Sequence, residues 1–441
     1  MTDDEEVALY DPTGEVVGSA PRSVVRARNL GHAASSVVVR DPMGRVYLHR
    51  RTTTKDVYPG LLDFAAGGVV LAGEDPAVGA VREVEEELGV SGVPLEPRGV
   101  THYADEHTDH VAVQFVTTWD GPIRWQPEEV SWGEWVTVEE LVRRLDEEPA
   151  TLVPDSRAVW SATVRSWAAD QVPLEQGWDN VTTLVEGRWV DRVARRPEAE
   201  SGLLAEVGLL TLLAEGLPLE VPRPVVLDQD PLRVRHTLLE GTAVDPLALT
   251  AADGRLFARF LTALHATPPA LAAEARCPSA SDDARHRIAG VARFRDVVLP
   301  ALPAAVQRAG DSLLGRVATV REQALCHGDL VAEHVLGHHG HLSGVIGWGD
   351  ARVTDPALDL AWALNATSGP FAQAVADGIR ADGDVRARSR DWWALAPWFE
   401  VEHELEREVE GRGHGDADAH GEDLQRAHRV LVDRLLWWQG A

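Results

Sequence analysis

The chain has 441 residues, a formal net charge of −28 and two cysteines. That length predicts two or three domains, and a hydrophobic content of 44% is enough to build their cores. A field of this sign disfavours nucleic acid and membrane surfaces as partners. Because the N-terminus is acidic, no apolar run could span a bilayer and two cysteines make no disulfide framework, we expect a cytoplasmic protein.

The first third of the sequence alternates β-rich runs with turns. These runs predict strands within residues 5–17, 35–40, 46–50, 99–103, 111–118 and 132–136. Helices are predicted over residues 138–145 and 159–168, the second of them capped by Asp155 or Ser156. A change of pattern near residues 169–173 places the domains at 1–170 and 171–441.

One helix with strong start and stop signals interrupts these strands. Asp75 is suited to the N-cap position, Pro76 to the first helical turn, and Gly89 to a left-handed C-cap. The predicted helix therefore covers residues 76–88 and follows a glycine-containing loop that begins at Gly67.

Three acidic residues share one face of this helix. Glu83, Glu86 and Glu87 stand at i, i+3 and i+4, so their like charges repel one another. One interpretation is a solvated acidic face, as in most glutamate runs. The other is a site for a hard divalent cation, because Mg²⁺ prefers carboxylate oxygens.

The spacing around the helix favours the second interpretation. Gly68, Glu74, the pair Arg82-Glu83 and residues 84–90 resemble the Nudix box at its defining positions. The resemblance implies hydrolysis of a diphosphate-linked small molecule, with Glu83, Glu86 and Glu87 as catalytic residues that hold Mg²⁺ or Mn²⁺. It also implies structural roles for Gly68, Glu74 and Arg82, in which Arg82 braces the loop through Glu74.

The wider N-terminal segment is similar to one branch of that family, which includes type I isopentenyl-diphosphate isomerases. The similar segments are residues 31–33, 50–56, 58–63 and 66–68. Those isomerases use a cysteine before the box and a histidine within it, whereas residues 64–68 here contain neither. The difference favours hydrolysis over isomerisation.

Two further positions in this half are open to more than one interpretation. Glu128 or Glu129 could supply the later carboxylate that often completes a Nudix site, or either could be an exposed loop charge. His32 resembles a metal-site histidine of the family, although a lone histidine is more often structural.

The second half opens on a strand, a turn at Glu186-Gly187 and another strand, within residues 175–196, which is a candidate phosphate-binding loop. A helix over residues 203–215 carries Glu206. A strand follows at residues 233–239, then a helix at 255–265 and an Ala- and Leu-rich helical region that extends to residue 321.

The most specific motif of this half is His327-Gly328-Asp329, followed downstream by residues 355–361, Asp-Pro-Ala-Leu-Asp-Leu-Ala. Together with residues 260–266 these motifs resemble the aminoglycoside and macrolide phosphotransferase family, which has a protein-kinase-like fold. The similarity runs from about Leu174 to the C-terminus. It implies transfer of a phosphoryl group from ATP or GTP to a hydroxyl group on a small molecule such as an antibiotic or sugar.

The resemblance assigns roles to three residues of the catalytic segment. Asp329 matches the catalytic base, and His334 stands where most members have a metal-binding asparagine. Gly347 departs from the family, because the expected residue is an aspartate that holds Mg²⁺. Asp350, three residues on, could reach the metal instead.

The phosphate-binding pair of the family is also altered. Arg192 stands where a lysine would pair with phosphates and with the helix carboxylate Glu206. Arginine keeps the charge but not the shape of lysine. The alternative to an active kinase is therefore a degenerate lobe that binds a ligand or regulates the hydrolase.

The expected fold is α/β (α+β): an N-terminal Nudix mixed-sheet α/β/α sandwich and a C-terminal bilobal kinase-like domain with a largely helical C-lobe. Histidines in residues 338–341 and 413–420 lack ligand-grade spacing and favour solvated loops. The tryptophan pairs at 392–393 and 437–438 favour helix-core packing over an aromatic wall for a substrate.

Overall fold

The computed structural model describes residues 4–11, 13–174, 180–319, 323–411 and 417–440. The chain divides into two compact units: unit 1 comprises Met1–Leu174 and Thr183–Trp189, and unit 2 comprises Glu175–Thr182 and Val190–Ala441. We retain the boundary between residues 170 and 171 as a proposal. Within the described ranges, no helix is long and apolar enough to cross a bilayer.

Unit 1 contains the strands and helices predicted for the N-terminal half and, in addition, a short helix at Arg22–Arg28 and short strands at Leu62–Asp63 and Gln171–Pro173 that the sequence did not predict. In chain order, the elements are β1 (Glu6–Tyr10), β2 (Val16–Pro21), α1 (Arg22–Arg28), β3 (His32–Arg40), β4 (Val46–Arg51), β5 (Leu62–Asp63), α2 (Pro76–Leu88), β6 (Glu96–Ala104), β7 (Asp109–Thr118), β8 (Val130–Val136), α3 (Val138–Glu147), α4 (Pro154–Ala169) and β9 (Gln171–Pro173).

The sheet of unit 1 is mixed. Its strands follow the order β2-β1-β3-β4-β5, with β7 paired to β3 and to β6, and β8 paired to β4. The β3–β7 pair is parallel, with Val37 opposite Phe115, whereas β6–β7 and β4–β8 are antiparallel. This pattern is the mixed sheet that the sequence predicts.

Helices cover both faces of this sheet. Val37 and Val39 of β3 pack with Ala80 and Val84 of α2. Val38, which lies between them and therefore points to the other face, belongs to a cluster formed by α3 and α4 that includes Trp160. The predicted α/β/α sandwich is confirmed.

The start of α4 differs from the prediction. The helix begins at Pro154, so Asp155 and Ser156 lie in its first turn, and neither is its N-cap. The reason is that proline is favoured at the first helical position, where its missing N–H costs nothing. Asp155 is thereby placed near the sheet rather than at a solvent-exposed helix end.

Strands β10 (Asn180–Val185) and β11 (Trp189–Ala194) follow, joined by a turn at Glu186 and Gly187 with positive φ angles. The predicted strand-turn-strand is confirmed for residues 180–194, and the first part of the candidate phosphate-binding loop, residues 175–179, lies outside the described residues. In unit 1, β9 pairs with the end of β10, with Pro173 opposite Thr183.

Unit 2 continues with a few strands and many helices. They are α5 (Pro197–Leu213), β12 (Val225–Gln229), β13 (Leu232–Thr237), β14 (Thr242–Ala243), α6 (Ala251–His265), α7 (Pro269–Glu274), α8 (Ala280–Arg293), α9 (Leu299–Ala301), α10 (Ala304–Val317), β15 (Ala324–Cys326), β16 (Val335–His338), β17 (His341–Val345), β18 (Arg352–Thr354), α11 (Ala361–Asn365), α12 (Gly369–Gly378), α13 (Gly383–Gly411) and α14 (Ala417–Gly440).

The strands and helices of unit 2 are segregated. Strands β12, β13 and β11 lie side by side, and α5 packs near β13. The helical part contains two apolar clusters, one built around Phe257 and Phe371 and the other around Phe294 and Trp398. Strands β15 to β18 form two small antiparallel pairs between these helices in sequence. The predicted kinase-like arrangement is confirmed.

The C-terminal tryptophans behave unequally. Trp392 is buried in the second cluster and Trp438 packs against that cluster, with its indole N–H 2.8 Å from Asp391 Oδ1. Trp437 is exposed. The prediction of helix-core packing is confirmed for Trp392, while Trp437 lies at the surface.

Candidate active sites

The loop before helix α2 passes directly over one of its glutamates. A Cβ atom added to Gly68 would lie 2.4 Å from the carboxylate carbon of Glu83. Any side chain at this position would therefore displace either the loop or the glutamate. The structural role predicted for Gly68 has its physical basis in this close approach rather than in an unusual backbone angle.

Arg82 holds the loop to the helix. Its Nε and Nη2 atoms both lie 3.2 Å from oxygens of Glu74, and Glu74 also accepts a hydrogen bond from the backbone N–H of Leu71 at 2.9 Å. The bracing contact that the box implies is therefore present. The helix itself begins as predicted, since the Asp75 side chain accepts a hydrogen bond from Ala77 N.

The three predicted metal ligands share a face but differ in environment. The side chain of Glu87 is 4% exposed, that of Glu83 is 14% exposed and that of Glu86 is 57% exposed. Arg82 Nη1 lies 2.6 Å from Glu83 and 3.7 Å from Glu86. The backbone N–H of Gly67 donates to Glu87 at 3.2 Å. Cationic and N–H groups of the chain thus offset the repulsion among these carboxylates.

Lys55 and Glu129 complete this cluster. Lys55 Nζ lies 2.6 Å from Glu129 Oε2 and 3.4 Å from Glu87 Oε1. Burial raises the pKa of Glu87, although the nearby ammonium group acts in the opposite direction. Of the two later glutamates, Glu129 lies beside Glu87, while Glu128 is solvent-exposed.

The donor set of this cluster fits a hard divalent cation, because every ligand it offers is a carboxylate oxygen. The oxygens of Glu83, Glu86 and Glu87 are nevertheless not gathered to within 4.8 Å of one another, since Arg82 and Lys55 engage them instead. The exposed side chain of Glu86 is free to change rotamer toward the other two.

In unit 2, one buried carboxylate fixes the catalytic segment. Asp359 accepts hydrogen bonds from the backbone N–H groups of His327 and Gly328, at 3.0 and 2.9 Å, and lies 2.9 Å from His265 Nε2. Burial favours the neutral acid, yet these hydrogen bonds hold the pKa of Asp359 below its ordinary value. The segment that carries Asp329 is therefore held rigidly.

His265, Cys326 and Asp359 are the one group of three metal-ligating side chains whose donor atoms converge within the described residues. The oxygens of Asp359 are already occupied by N–H donors, and burial raises the pKa of the Cys326 thiol. These contacts explain the group as a structural anchor.

His334 occupies the space beside Gly347. Its Nδ1 donates to the backbone carbonyl oxygen of Asp329 at 2.6 Å. A Cβ atom added to Gly347 would lie 2.7 to 2.9 Å from three atoms of the His334 ring, and Gly347 has φ +82°. The carboxylate that the family expects at residue 347 therefore has no room next to this histidine.

Asp350 lies close to the catalytic segment but points largely into solvent. A Cβ atom on Gly328 would lie 2.3 Å from the Asp350 carbonyl oxygen, so the two backbones are in contact. The side chain of Asp350 is 61% exposed, with Arg352 Nη1 3.8 Å away. The structure therefore brings Asp329, His334 and Asp350 into one region of unit 2.

The ion pair predicted between Arg192 and Glu206 is formed. Arg192 Nη1 donates to Glu206 Oε1 at 2.6 Å, and Glu206 is almost fully buried. A Cβ atom on Gly349 would lie 3.7 Å from Arg192 Nη2. This ion pair is therefore next to the turn that carries Asp350.

The weaker histidine runs contribute no site within the described residues. The rings of His338 and His339 contact each other, with centroids 3.9 Å apart, and His338 Nε2 lies 3.5 Å from Glu240. In the second run, His414 and the side chain of His420 lie outside the described part of the chain.

The chain therefore carries two candidate sites, and comparison with known proteins assigns a family to each of the two regions. Residues 170–398 match the model of the phosphotransferase enzyme family, and residues 30–156 match that of the NUDIX domain. The chain belongs to the phosphotransferase enzyme family and also carries a Nudix hydrolase domain.

Relatives exist for each part. The chain is 44% identical over 167 residues to the uncharacterized Nudix hydrolase orf19 of Rhodococcus erythropolis, covering 35% of this chain and 90% of that protein. It is 41% identical over 152 residues to the uncharacterized Nudix hydrolase YfcD of Escherichia coli K12, and this match covers 34% of this chain and 82% of that protein. The similarity to the isomerase branch stays a prediction.

Among solved structures, the GDP complex of wild-type aminoglycoside 2'-phosphotransferase-IIIa matches with a TM-score of 0.52 and 20% identity, covering 63% of this chain and 98% of that one. At this identity the likeness shows the fold of the C-terminal half.

Lys55 is a site residue to which the sequence assigned no role. Its distance along the chain from Glu87 and Glu129 gives no local signal of their contact. Composition did hold a clue, because Lys55 is the only lysine among the 441 residues.

The contact between His334 and Gly347 leads to a prediction about stability. We expect Gly347→Asp to lower the free energy of unfolding by about 1–3 kcal/mol, since it combines a strained backbone angle with a collision against the His334 ring. In the double variant with His334→Ala the loss should be smaller than the sum of the two single losses. Chemical denaturation of all three variants measures this coupling.

Gly340→Asp is the matched control, because Gly340 has φ +81° and its Cβ would meet nothing within 4 Å. If Gly347→Asp costs no more than Gly340→Asp, the steric account of this contact is wrong.

Proposed function

We propose that unit 1 hydrolyses a diphosphate-linked small molecule in a reaction that depends on Mg²⁺ or Mn²⁺. The observation that carries this proposal is the placement of Glu83 against Gly68 and of Glu87 against Gly67, with Glu86 on the same helix face and Arg82 holding helix and loop together. The named Nudix relatives support it.

Each residue of the cluster has a role in the proposed reaction. Glu83, Glu86 and Glu87 would hold the cation, with Glu129 as the later carboxylate that completes the set. A bound divalent ion polarises phosphoryl oxygens and lowers the pKa of water at the site. Lys55 places a positive charge beside the carboxylates, where it can pair with a phosphate oxygen.

Local cations are needed because the whole chain repels its substrate. The formal net charge of −28 acts against any diphosphate that approaches. A metal ion together with Arg82 and Lys55 would supply the attraction at short range. We propose a nucleoside-diphosphate-type or isoprenoid-type compound as the substrate.

For unit 1 we expect Glu86→Gln and Glu87→Gln each to lower kcat by about a hundredfold or more, since each removes a negative metal ligand without changing the side-chain volume. The measurement is product release from a panel of nucleoside-diphosphate-linked and isoprenoid diphosphates in the presence of Mg²⁺.

Glu85→Gln serves as the control, because Glu85 lies on the same helix and is exposed. Turnover that is unchanged in Glu86→Gln and Glu87→Gln, with all variants folded, would contradict the proposal.

For unit 2 we propose phosphoryl transfer from ATP or GTP to a hydroxyl group on a small acceptor such as an antibiotic or sugar. Asp329 would orient or deprotonate the hydroxyl, and Arg192 would bind phosphate oxygens while paired to Glu206. The rigid attachment of residues 327–328 to Asp359 favours this role. Metal ligands would come from His334 and Asp350.

The contact between His334 and Gly347 favours a second candidate. Without a carboxylate at residue 347, the donor set near Asp329 is weaker than the two-metal site that phosphoryl transfer usually employs. In this alternative, unit 2 is a degenerate lobe that captures a ligand and regulates the hydrolase.

The two candidates for unit 2 differ in the expected effect of Asp329→Asn. If unit 2 is a kinase, this change removes the catalytic base, and we expect phosphoryl transfer to fall by about a hundredfold or more while nucleotide binding is kept. Transfer from ATP and GTP to a panel of hydroxylated acceptors measures the first quantity, and calorimetry measures the second.

Glu333→Gln is the control in this series, since Glu333 is an exposed carboxylate four positions along the same segment. The regulatory lobe would be favoured by two results together. Wild type would consume neither ATP nor GTP, and the dependence of the hydrolase rate on ligand would survive Asp329→Asn.

A further inference from the structure

A small polar cavity adjoins the loop of the hydrolase site in unit 1. Its volume is about 100 Å³, and its wall includes Gly67 and Gly68. The same two glycines contact Glu87 and Glu83, as described above. A ligand group in this cavity would therefore lie on the other side of a single backbone segment from the proposed metal ligands.

Two arginines line the cavity, and they differ in their partners. Arg51 donates from Nε and Nη2 to the carbonyl oxygen of Val57, and its Nη1 lies 3.6 Å from Asp63. Arg26, on α1, is half-buried and has no hydrogen bond or ion pair from its side chain to any described residue. Arg26 is therefore the arginine of this wall whose side chain makes neither a hydrogen bond nor an ion pair within the described residues, although the charges of Asp56 and Asp155 act on it at longer range.

The two acidic residues of the cavity wall, Asp63 and Asp155, have partners other than Arg26, and Asp155 Oδ2 lies 3.9 Å from His110 Nε2. Asp63 accepts hydrogen bonds from Ser156 Oγ at 2.6 Å and from Ala65 N at 3.1 Å. Asp155 accepts from the backbone N–H of Ser156 at 2.7 Å. Among the described residues, neither carboxylate lies within 4 Å of the Arg26 guanidinium, so neither forms an ion pair with it.

The histidines of the wall add N–H and ring nitrogen atoms rather than charge. His32 Nδ1 donates to the carbonyl oxygen of Leu30 at 2.9 Å, and His110 Nδ1 lies 3.3 Å from Thr108 Oγ1. Burial lowers the pKa of His110 to about 4 and also lowers that of His32. Both rings are therefore neutral near pH 7.

Tyr58 is another residue of the cavity wall, and its side chain is anchored by a hydrogen bond. This residue has φ +52°, an uncommon conformation for a non-glycine residue, and its hydroxyl donates to Asp105 at 2.6 Å. Backbone strain of this kind persists where surrounding contacts impose it, and it often marks a binding site.

We propose that Arg26 binds an anionic oxygen group, a phosphate or a carboxylate, on the part of the hydrolase substrate that is not the cleaved diphosphate. A half-buried charge without a partner is costly, and an oxyanion would satisfy it through charge-assisted hydrogen bonds. The volume of about 100 Å³ suits a small group, since an apolar cavity of about 150 Å³ holds benzene.

The proposal that the bound anion is part of the hydrolase substrate rests on the proposed function. The proposal that Arg26 binds an anion does not. Arg26 precedes residues 30–156, which match the NUDIX domain, so the domain match assigns it no role. The substrate would then be an acidic compound linked to diphosphate, and Arg26 would select it over a neutral one.

The test is calorimetric titration of the full chain with inorganic phosphate, and separately with acetate, without divalent metal. We expect Arg26→Met to weaken phosphate binding at least tenfold and Arg26→Lys to keep most of it. Arg28→Met is the matched control, since Arg28 is exposed on the same helix. A preference for phosphate or for acetate identifies which oxyanion the cavity takes.

The quantity to compare is the phosphate affinity of Arg26→Met and of wild type. Any phosphate binding by unit 2 is the same in both proteins and cancels in this comparison. Equal binding by these two proteins, or no binding by wild type, would overturn the inference. Two measurements separate this inference from the proposed function. If phosphate binding in the Glu87→Gln background still depends on Arg26, the anion site stands. If wild type hydrolyses no diphosphate, the proposed hydrolysis fails independently of that site.

Discussion

Repulsion among the carboxylates of α2 is the constraint on which the hydrolase site depends. Like charges at the spacing of Glu83, Glu86 and Glu87 each destabilise a helix by about 0.2–0.5 kcal/mol, and positive groups offset this repulsion. Arg82 does so from within the helix, and Lys55 does so from a distant loop. The site therefore places positive and negative side chains side by side. A bound divalent ion would neutralise part of the carboxylate charge that Arg82 and Lys55 neutralise in its absence.

Unit 2 satisfies a buried carboxylate with N–H donors. The buried charge of Asp359 is satisfied by two backbone N–H groups and by His265, which ties the segment before Asp329 to the helical core. At Gly347, where the family resemblance predicts an aspartate, the ring of His334 occupies the space that a side chain would need. Asp359 therefore anchors the segment before Asp329, whereas packing against His334 leaves no room for a carboxylate at residue 347.

Much of this architecture follows from local sequence. The caps at Asp75 and Gly89 define α2, and the spacing from Gly68 to Glu87 indicates the box, because both depend on neighbours along the chain. Other features depend on residues that are far apart in sequence. They are the contacts of Lys55, the position of Glu129 rather than Glu128 beside Glu87, and the lack of an ion pair at Arg26. Periodicity and capping carry no information about such contacts, so they emerge only from the fold.

Titration of the full chain with Mn²⁺, followed by electron paramagnetic resonance, tests the central claim most directly. The account predicts a saturable site in wild type that is lost when Glu86 and Glu87 are both replaced by glutamine and retained in Glu85→Gln. Mn²⁺ binding of unchanged stoichiometry and affinity in the doubly substituted protein would contradict it, because the carboxylates of α2 would then not be the metal ligands.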